Sequence, residues 1–334
     1  MTTYKGFNGF NVTTYASDPV ATAAWSAGGS LNSGRQVGAG IGIATAAVAA
    51  AGADDPTGYF SNVEEYNGTA WAEDTNMPTA ITGFSACGIL TAGLVFGGYN
   101  APPSAGNRDE TEEYDGTTWT GGGTMPRLFT EGGGCGTQTA GLAICGNPGS
   151  TTTSEEYNGS TWASGGTLNN GRERNCGVGT QTAAMTCGDN VPTGPGAGWL
   201  AEEYDGTTWT DSNEMNTGRD ASASPGGGTQ TAGIVVGGSG NPGYSDKTEL
   251  YNGTSFSVGA VTPAGRSEAY GTGTSPAANY LITAGAPGYL TTTYVYNENS
   301  EPNTFLNEGE VWYNSTGYAL KFYNGTTVKT VTTS

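Results

Sequence analysis

The chain has 334 residues, 58 of them glycine, with 12% charged residues and a formal net charge of −19. Such an excess of carboxylates repels phosphate backbones, so no nucleic acid is expected among its partners. The chain has no histidine, which removes the commonest general base, the commonest metal ligand and every Ser–His or Cys–His nucleophile pair. Carboxylate-only catalysis is the main chemistry left.

The first residues, Met1 to Phe7, lack a basic stretch followed by an apolar core, so no secretory leader is expected. Residues 1–18 read as an N-terminal arm with a turn at Phe7-Asn8-Gly9-Phe10. The run Ile41 to Ala53 is apolar but short for a membrane span, and it falls in register with a repeat. It reads as two strands, and no membrane insertion is expected.

The repeat is the strongest signal. Five times a tyrosine precedes Asn-Gly or Asp-Gly, with a second aromatic five residues after the tyrosine: Tyr66…Trp71, Tyr114…Trp119, Tyr157…Trp162, Tyr204…Trp209 and Tyr251…Phe256. With Trp25 added, the anchors fall 46, 48, 43, 47 and 47 residues apart. A strand-rich unit of this length predicts propeller blades. In the unit from Trp71 to Trp119, Phe84–Gly88, Ala92–Gly98, Glu112–Tyr114 and Thr117–Trp119 are the expected strands. A variable loop spans Tyr99 to Asp109, and Asp115-Gly116 supplies a two-residue turn.

Other copies hold the register. Thr45-Ala46, Thr91-Ala92, Thr139-Ala140 and Thr182-Ala183 begin 20 residues after their tryptophans, and Arg35, Arg172, Arg219 and Arg266 lie 10 residues after their anchors. A Gly-Gly site recurs as Ala51-Gly52, Gly97-Gly98, Cys145-Gly146, Cys187-Gly188, Gly237-Gly238 and Ala284-Gly285, which makes six units. The five cysteines sit at small-residue positions on strands and read as buried free thiols.

This pattern resembles the kelch repeat over roughly residues 20–298: a Gly-Gly pair, Glu-x-Tyr-Asp/Asn, a tryptophan five residues after the tyrosine, then Met-Pro and an arginine. Phe256 and Ile81 depart from it. The resemblance implies an all-β fold, a six-bladed galactose-oxidase-like propeller of four-stranded antiparallel blades over residues 19–298. It implies shape alone, since the fold hosts many functions. The copper chemistry of that family uses histidines, which this chain lacks. The last unit reaches Tyr294-Val295-Tyr296-Asn297 without a tryptophan strand, and the strand at Trp25 has no blade before it. Pairing the two would close the ring and remove free edges.

Residues 299–334 form a β-rich extension with alternating strands around Trp312, Tyr313, Phe322 and Tyr323. Val311 to Gly317 followed by Leu320 to Thr326 is similar to terminal modules of tailed-phage virion proteins. The four aromatics are the expected assembly residues, because apolar surface of that size calls for cover.

Two features compete for chemistry. The pairs Glu64-Glu65, Glu112-Glu113, Glu155-Glu156 and Glu202-Glu203 put at most one carboxylate of each pair on an inner face. An ion pair with the repeated arginine is one reading, and a cation site or acid/base pair the other. The loops after the Gly-Gly strands carry Tyr59, Phe60, Tyr99, Trp199, Tyr244 and Tyr289. These aromatics either stack on a sugar or protein partner or pack the loops onto the blades. The Asn-Gly-Thr/Ser sequons read as turn chemistry.

The expectation is a non-enzymatic virion protein of a tailed phage: a tail, fibre or decoration component made in the host cytoplasm. Its expected partners are other virion proteins or copies of itself, and host surface glycan met by the aromatic loops. No cofactor or metal is expected. A bacterial surface or secreted carbohydrate-binding propeller is the alternative, followed by a carboxylate-based glycan hydrolase or lyase.

Overall fold

The computed structural model describes residues 24–297 apart from 55–57, 103–104, 190–197, 221–226, 241–242 and 274–279. It also describes, as backbone strands alone, 13–15, 311–314, 319–323 and 328–330. The chain divides into two units, Ala24–Asn297, and Met1–Ala23 with Glu298–Ser334.

The larger unit is all-β and propeller-like, with six four-stranded antiparallel sheets and no helix among the described residues. Sheet I consists of Ala39–Ile43, Ala46–Asp54, Gly58–Tyr66 and Trp71–Asp74. Sheet II takes Ser85–Ile89, Ala92–Phe96, Thr111–Tyr114 and Trp119–Gly121. Sheets III and IV repeat this with first strands Gly133–Thr137 and Cys176–Thr180 and last strands Trp162–Ser164 and Trp209–Asp211. Sheet V runs from Gly227–Thr229 to Phe256–Val258. Sheet VI joins Tyr270–Thr272, Tyr280–Thr283 and Thr293–Asn297 to Ala24–Ala27 from the other end of the unit. There Trp25 stands opposite Tyr296, as Trp71 stands opposite Tyr66.

Why these residues make stacked sheets is visible in their burial. Second strands such as Ala92–Phe96 are buried at four consecutive positions, so both faces are covered and the residues are small or apolar on both. The core is accordingly five clusters, each between neighbouring sheets, such as Tyr66, Trp71, Tyr270 and Leu281 between sheets I and VI. Trp71 and Trp209 are buried, whereas Trp119 and Trp162 are only partly so.

Polar groups tie neighbours together. Tyr114, Tyr157, Tyr204 and Tyr251 each donate a hydroxyl to the second glutamate of the preceding sheet, Glu65, Glu113, Glu156 and Glu203, at 2.6–2.7 Å. Gln138, Gln181 and Gln230 reach back to two carbonyls of the preceding sheet. Sheet VI meets sheet V through Gly228 N–H to the Gly273 carbonyl (3.0 Å) and sheet I through Thr272 Oγ1 to the Gly42 carbonyl (2.7 Å).

Three sequence expectations need correction. The Asp115-Gly116 turn is a four-residue loop: Tyr114 pairs with Trp119, only Gly116 has positive φ, and the Asp115 carboxylate accepts the Thr117 and Thr118 amides. The last strand therefore begins at the tryptophan, because the Asp side chain builds an Asx turn. In sheet IV the doublet lies at Gly188–Asp189, one residue later than expected. Asp189 N–H donates to the Arg219 carbonyl as Gly146 N–H does to that of Arg172, and Cys187 stays in its strand. Finally, the Tyr99 to Asp109 segment is not all loop, since Tyr99–Asn100 pairs with Gly106–Asn107 and with Ile81–Thr82.

In the smaller unit Thr13–Tyr15 pairs in parallel with Val311–Asn314, which continues antiparallel to Ala319–Tyr323 and then Val328–Thr330. Trp312, Tyr313, Phe322 and Tyr323 thus stand on the two central strands. Their side chains, and the Phe7–Phe10 turn, lie outside the described residues.

Candidate functional site

The repeated glutamates are occupied. Glu64, Glu202 and Glu249 are buried and paired with the buried Arg35, Arg172 and Arg219. Each also accepts a backbone amide from the arginine's own loop, as in Asn32 N–H to Glu64 at 2.7 Å. Where the register lacks an arginine another supplies the charge: Arg127 meets Glu155 at 2.6 Å and Arg108 meets Glu112 at 3.5 Å. In sheet VI the glutamate position holds Tyr294, and Arg266 stacks over its ring at 4.6 Å. The Arg35–Glu64 and Arg172–Glu202 pairs are those read from the sequence, whereas Glu112 and Glu155 take arginines outside the repeat register; all of them fix loops. Burial raises the pKa of Glu65 above its ordinary value, against the Tyr114 hydrogen bond and with the help of the Asp74 charge.

The six aromatics named from the sequence make different contacts. Phe60 lies beside the guanidinium of Arg35 at 6.0 Å. Trp199 covers Gly218, where a Cβ would meet its indole at 2.1 Å. The Tyr289 carbonyl closes on Gly34 and that of Tyr244 on Gly265. Trp199 and Tyr244 are nonetheless exposed, at 42% and 47%. Tyr59 and Phe60, expected in a loop, belong to the strand Gly58–Tyr66 and pair with Ala53 and Gly52; Tyr59 meets Tyr99, of the short strand Tyr99–Asn100, with ring centroids 6.1 Å apart and planes at 83°.

Those two tyrosines line an open cleft of about 460 Å³ whose polar wall includes Thr82, Thr130, Glu131 and Asn147. Asn147 donates to one oxygen of Glu131 at 2.9 Å and Arg174 to the other at 3.0 Å. Arg174 also reaches Asp220 at 3.3 Å. Beyond Glu131 the cleft meets a smaller cavity lined by Arg174 and Glu268. Burial raises the Glu268 carboxyl above its ordinary range; Arg174 opposes this, while Asp220 and Glu131 add to it.

Sequence reasoning passed over this wall. Val37, Gly83, Glu131, Arg174 and Glu268 each lie 12 residues after an anchor aromatic, and each has positive φ. Their backbones form a chain of hydrogen bonds: Val37 N–H to the Glu268 carbonyl, Gly83 to Val37, Glu131 to Gly83 and Arg174 to Glu131, at 2.6–3.1 Å. The 12-residue offset was the available signal, hidden because the residue types differ. Left-handed backbone is unfavourable for residues with a Cβ. Glutamate and arginine nonetheless occupy it in a chain with 58 glycines, held there by the hydrogen-bonded chain around them.

A second cavity of about 300 Å³ is lined by first-strand residues, mostly glycine and threonine with Cys87 and Cys135. Burial pushes the Cys87 thiol up to about 12, so it is not a ready nucleophile. Among the described residues no group of three or more cysteines and acidic side chains is placed to hold a metal ion. The cleft offers two aromatic rings beside hydroxyl, amide and carboxylate groups, an arrangement suited to holding a polyhydroxylated ligand. No protein-family model matches this chain, and no curated protein matches it.

Proposed function

We propose that the chain is a six-bladed kelch-like β-propeller serving as a non-catalytic attachment protein of a tailed-phage virion, with host glycan held in the Tyr59–Tyr99 cleft. The observation that carries the reading is the perpendicular tyrosine pair over a polar wall. One ring stacks on the apolar face of a sugar while Glu131 and Asn147 take its hydroxyls. The six-fold count is supported by the register of Trp25 against Tyr296, and the virion role by the phage-like pattern around Trp312 and Tyr323. The terminal strands mount the propeller on the particle through those aromatics.

Glycan-array screening followed by calorimetry tests the cleft. Tyr99→Ala should weaken binding of a captured glycan at least tenfold with the fold intact. Unchanged affinity, or no glycan captured by the wild type, would sink the glycan reading. Immunogold electron microscopy tests the virion role separately, with labelling of phage particles expected.

A further inference from the structure

Two buried thiols take no part in the cleft or the ion pairs. Cys176 and Cys187 face each other directly across the first two strands of sheet IV, with Sγ atoms 3.1 Å apart. Residues paired in this way have Cα atoms about 4.5–5.5 Å apart, inside the window of about 4.4–6.8 Å that a disulfide accepts. In the same register sheet II sets Ser85 against Phe96 and sheet III sets Gly133 against Ile144. The hydrogen bond from Cys187 holds the Cys176 thiol below its ordinary value, and buried Arg219 and Arg172 add to this.

We propose that Cys176 and Cys187 are a peroxide-sensitive pair that closes to a disulfide across sheet IV. The Cys176 thiolate attacks one peroxide oxygen, the O–O bond breaks, and the departing hydroxide takes the Cys187 proton and leaves as water. Cys187, now a thiolate, attacks the sulfenic sulfur of Cys176, the S–S bond forms, the S–O bond breaks, and the departing hydroxide takes up the proton that Cys176 released on ionising and leaves as a second water. The two sulfurs lose two electrons and the peroxide gains them. The bond would staple Cys176–Thr180, the strand whose Gly179 and Thr180 line the larger cavity, to its neighbour. This inference is independent of the glycan reading.

Trypsin provides the test, because Cys176 and Cys187 are the sole cysteines of the fragment 175–219. After hydrogen peroxide, denaturation and iodoacetamide, that fragment should be two hydrogens lighter and unalkylated, and dithiothreitol should restore alkylation. Cys187→Ser should abolish the lighter species. Full alkylation of both thiols after peroxide, or sulfinic acids in place of the disulfide, would overturn the proposal. The wild-type map alone decides it if the variant does not fold.

Discussion

The boundaries between sheets I and V and the two boundaries of sheet VI are built differently. From I to V each junction carries a tyrosine hydroxyl bonded to a glutamate of the preceding sheet. At sheet VI the matching positions hold Leu250 and Val295. The indole bonds remain there: Trp25 Nε1 donates to Thr248 Oγ1 at 3.1 Å and to the Ala260 carbonyl at 3.0 Å, and Trp71 Nε1 to Thr293 Oγ1 at 2.8 Å. At other junctions Trp162 Nε1 likewise donates to Thr111 Oγ1 at 2.8 Å and Trp209 Nε1 to Ser154 Oγ at 3.2 Å. The sheet assembled from both ends of the unit thus keeps the neutral contacts of the repeat and adds a long-range strand pairing. What it lacks is the tyrosine–carboxylate bond that the other four junctions carry.

Breaking the sheet VI arrangement should have the largest effect. Removal of residues 1–27 deletes the strand Ala24–Ala27 and exposes the edge of Thr293–Asn297. The truncated protein should aggregate or lose its cooperative melting transition, checked by size exclusion and calorimetry. A monomer with wild-type melting would show that the sheet does not need this strand.

The contrast sharpens with single hydroxyls. Tyr157→Phe removes a 2.6 Å bond to Glu113 and should cost about 1.5–3 kcal/mol in denaturant unfolding, the range for hydrogen bonds to charged groups. Tyr66→Phe, at the boundary of sheets I and VI, loses only a 3.4 Å contact from Gly29 N–H and should cost less. Equal losses would erase the distinction between the boundaries.

The smallest effect concerns Glu268, just ahead of the first strand of sheet VI. Its raised pKa means the folded protein binds that proton more tightly than the unfolded chain. Ionised Glu268 therefore destabilises the fold at neutral pH, and the handicap fades as pH falls through the raised value. Glu268→Gln should melt slightly higher than wild type at neutral pH, with the gap closing on acidification. A lower melting point at neutral pH would contradict this sign.

Strand order, the Arg–Glu pairs and the pairing of Trp25 with the last repeat were legible because they depend on residue type at fixed spacing. The turn at Asp115 was misread because Asp-Gly serves two loop lengths, and the choice is made by where the carboxylate finds amides. The sheet IV doublet was misplaced because Cys187-Gly188 mimics Ala51-Gly52 by eye, while counting from Thr182-Ala183 gives Gly188-Asp189. Tyr59 and Tyr99 were named from the sequence, but their meeting depends on strands from two repeats. Glu131 and Arg174 stayed hidden because what repeats at their position is a backbone conformation, and no residue type reports it.

A backbone conformation repeated beneath varied residues bears on how the surface can change. The hydrogen-bonded chain through Val37, Gly83, Glu131 and Arg174 uses only amide and carbonyl groups. It uses none of their side chains, so residues with a Cβ are held there against the ordinary preference for glycine. The positions behave like sockets on a fixed collar: a valine, a glycine, an acid or a base plugs into the same geometry. New specificity at this mouth can then arise by exchanging plugs one at a time, with the collar and the sheets beneath it unchanged.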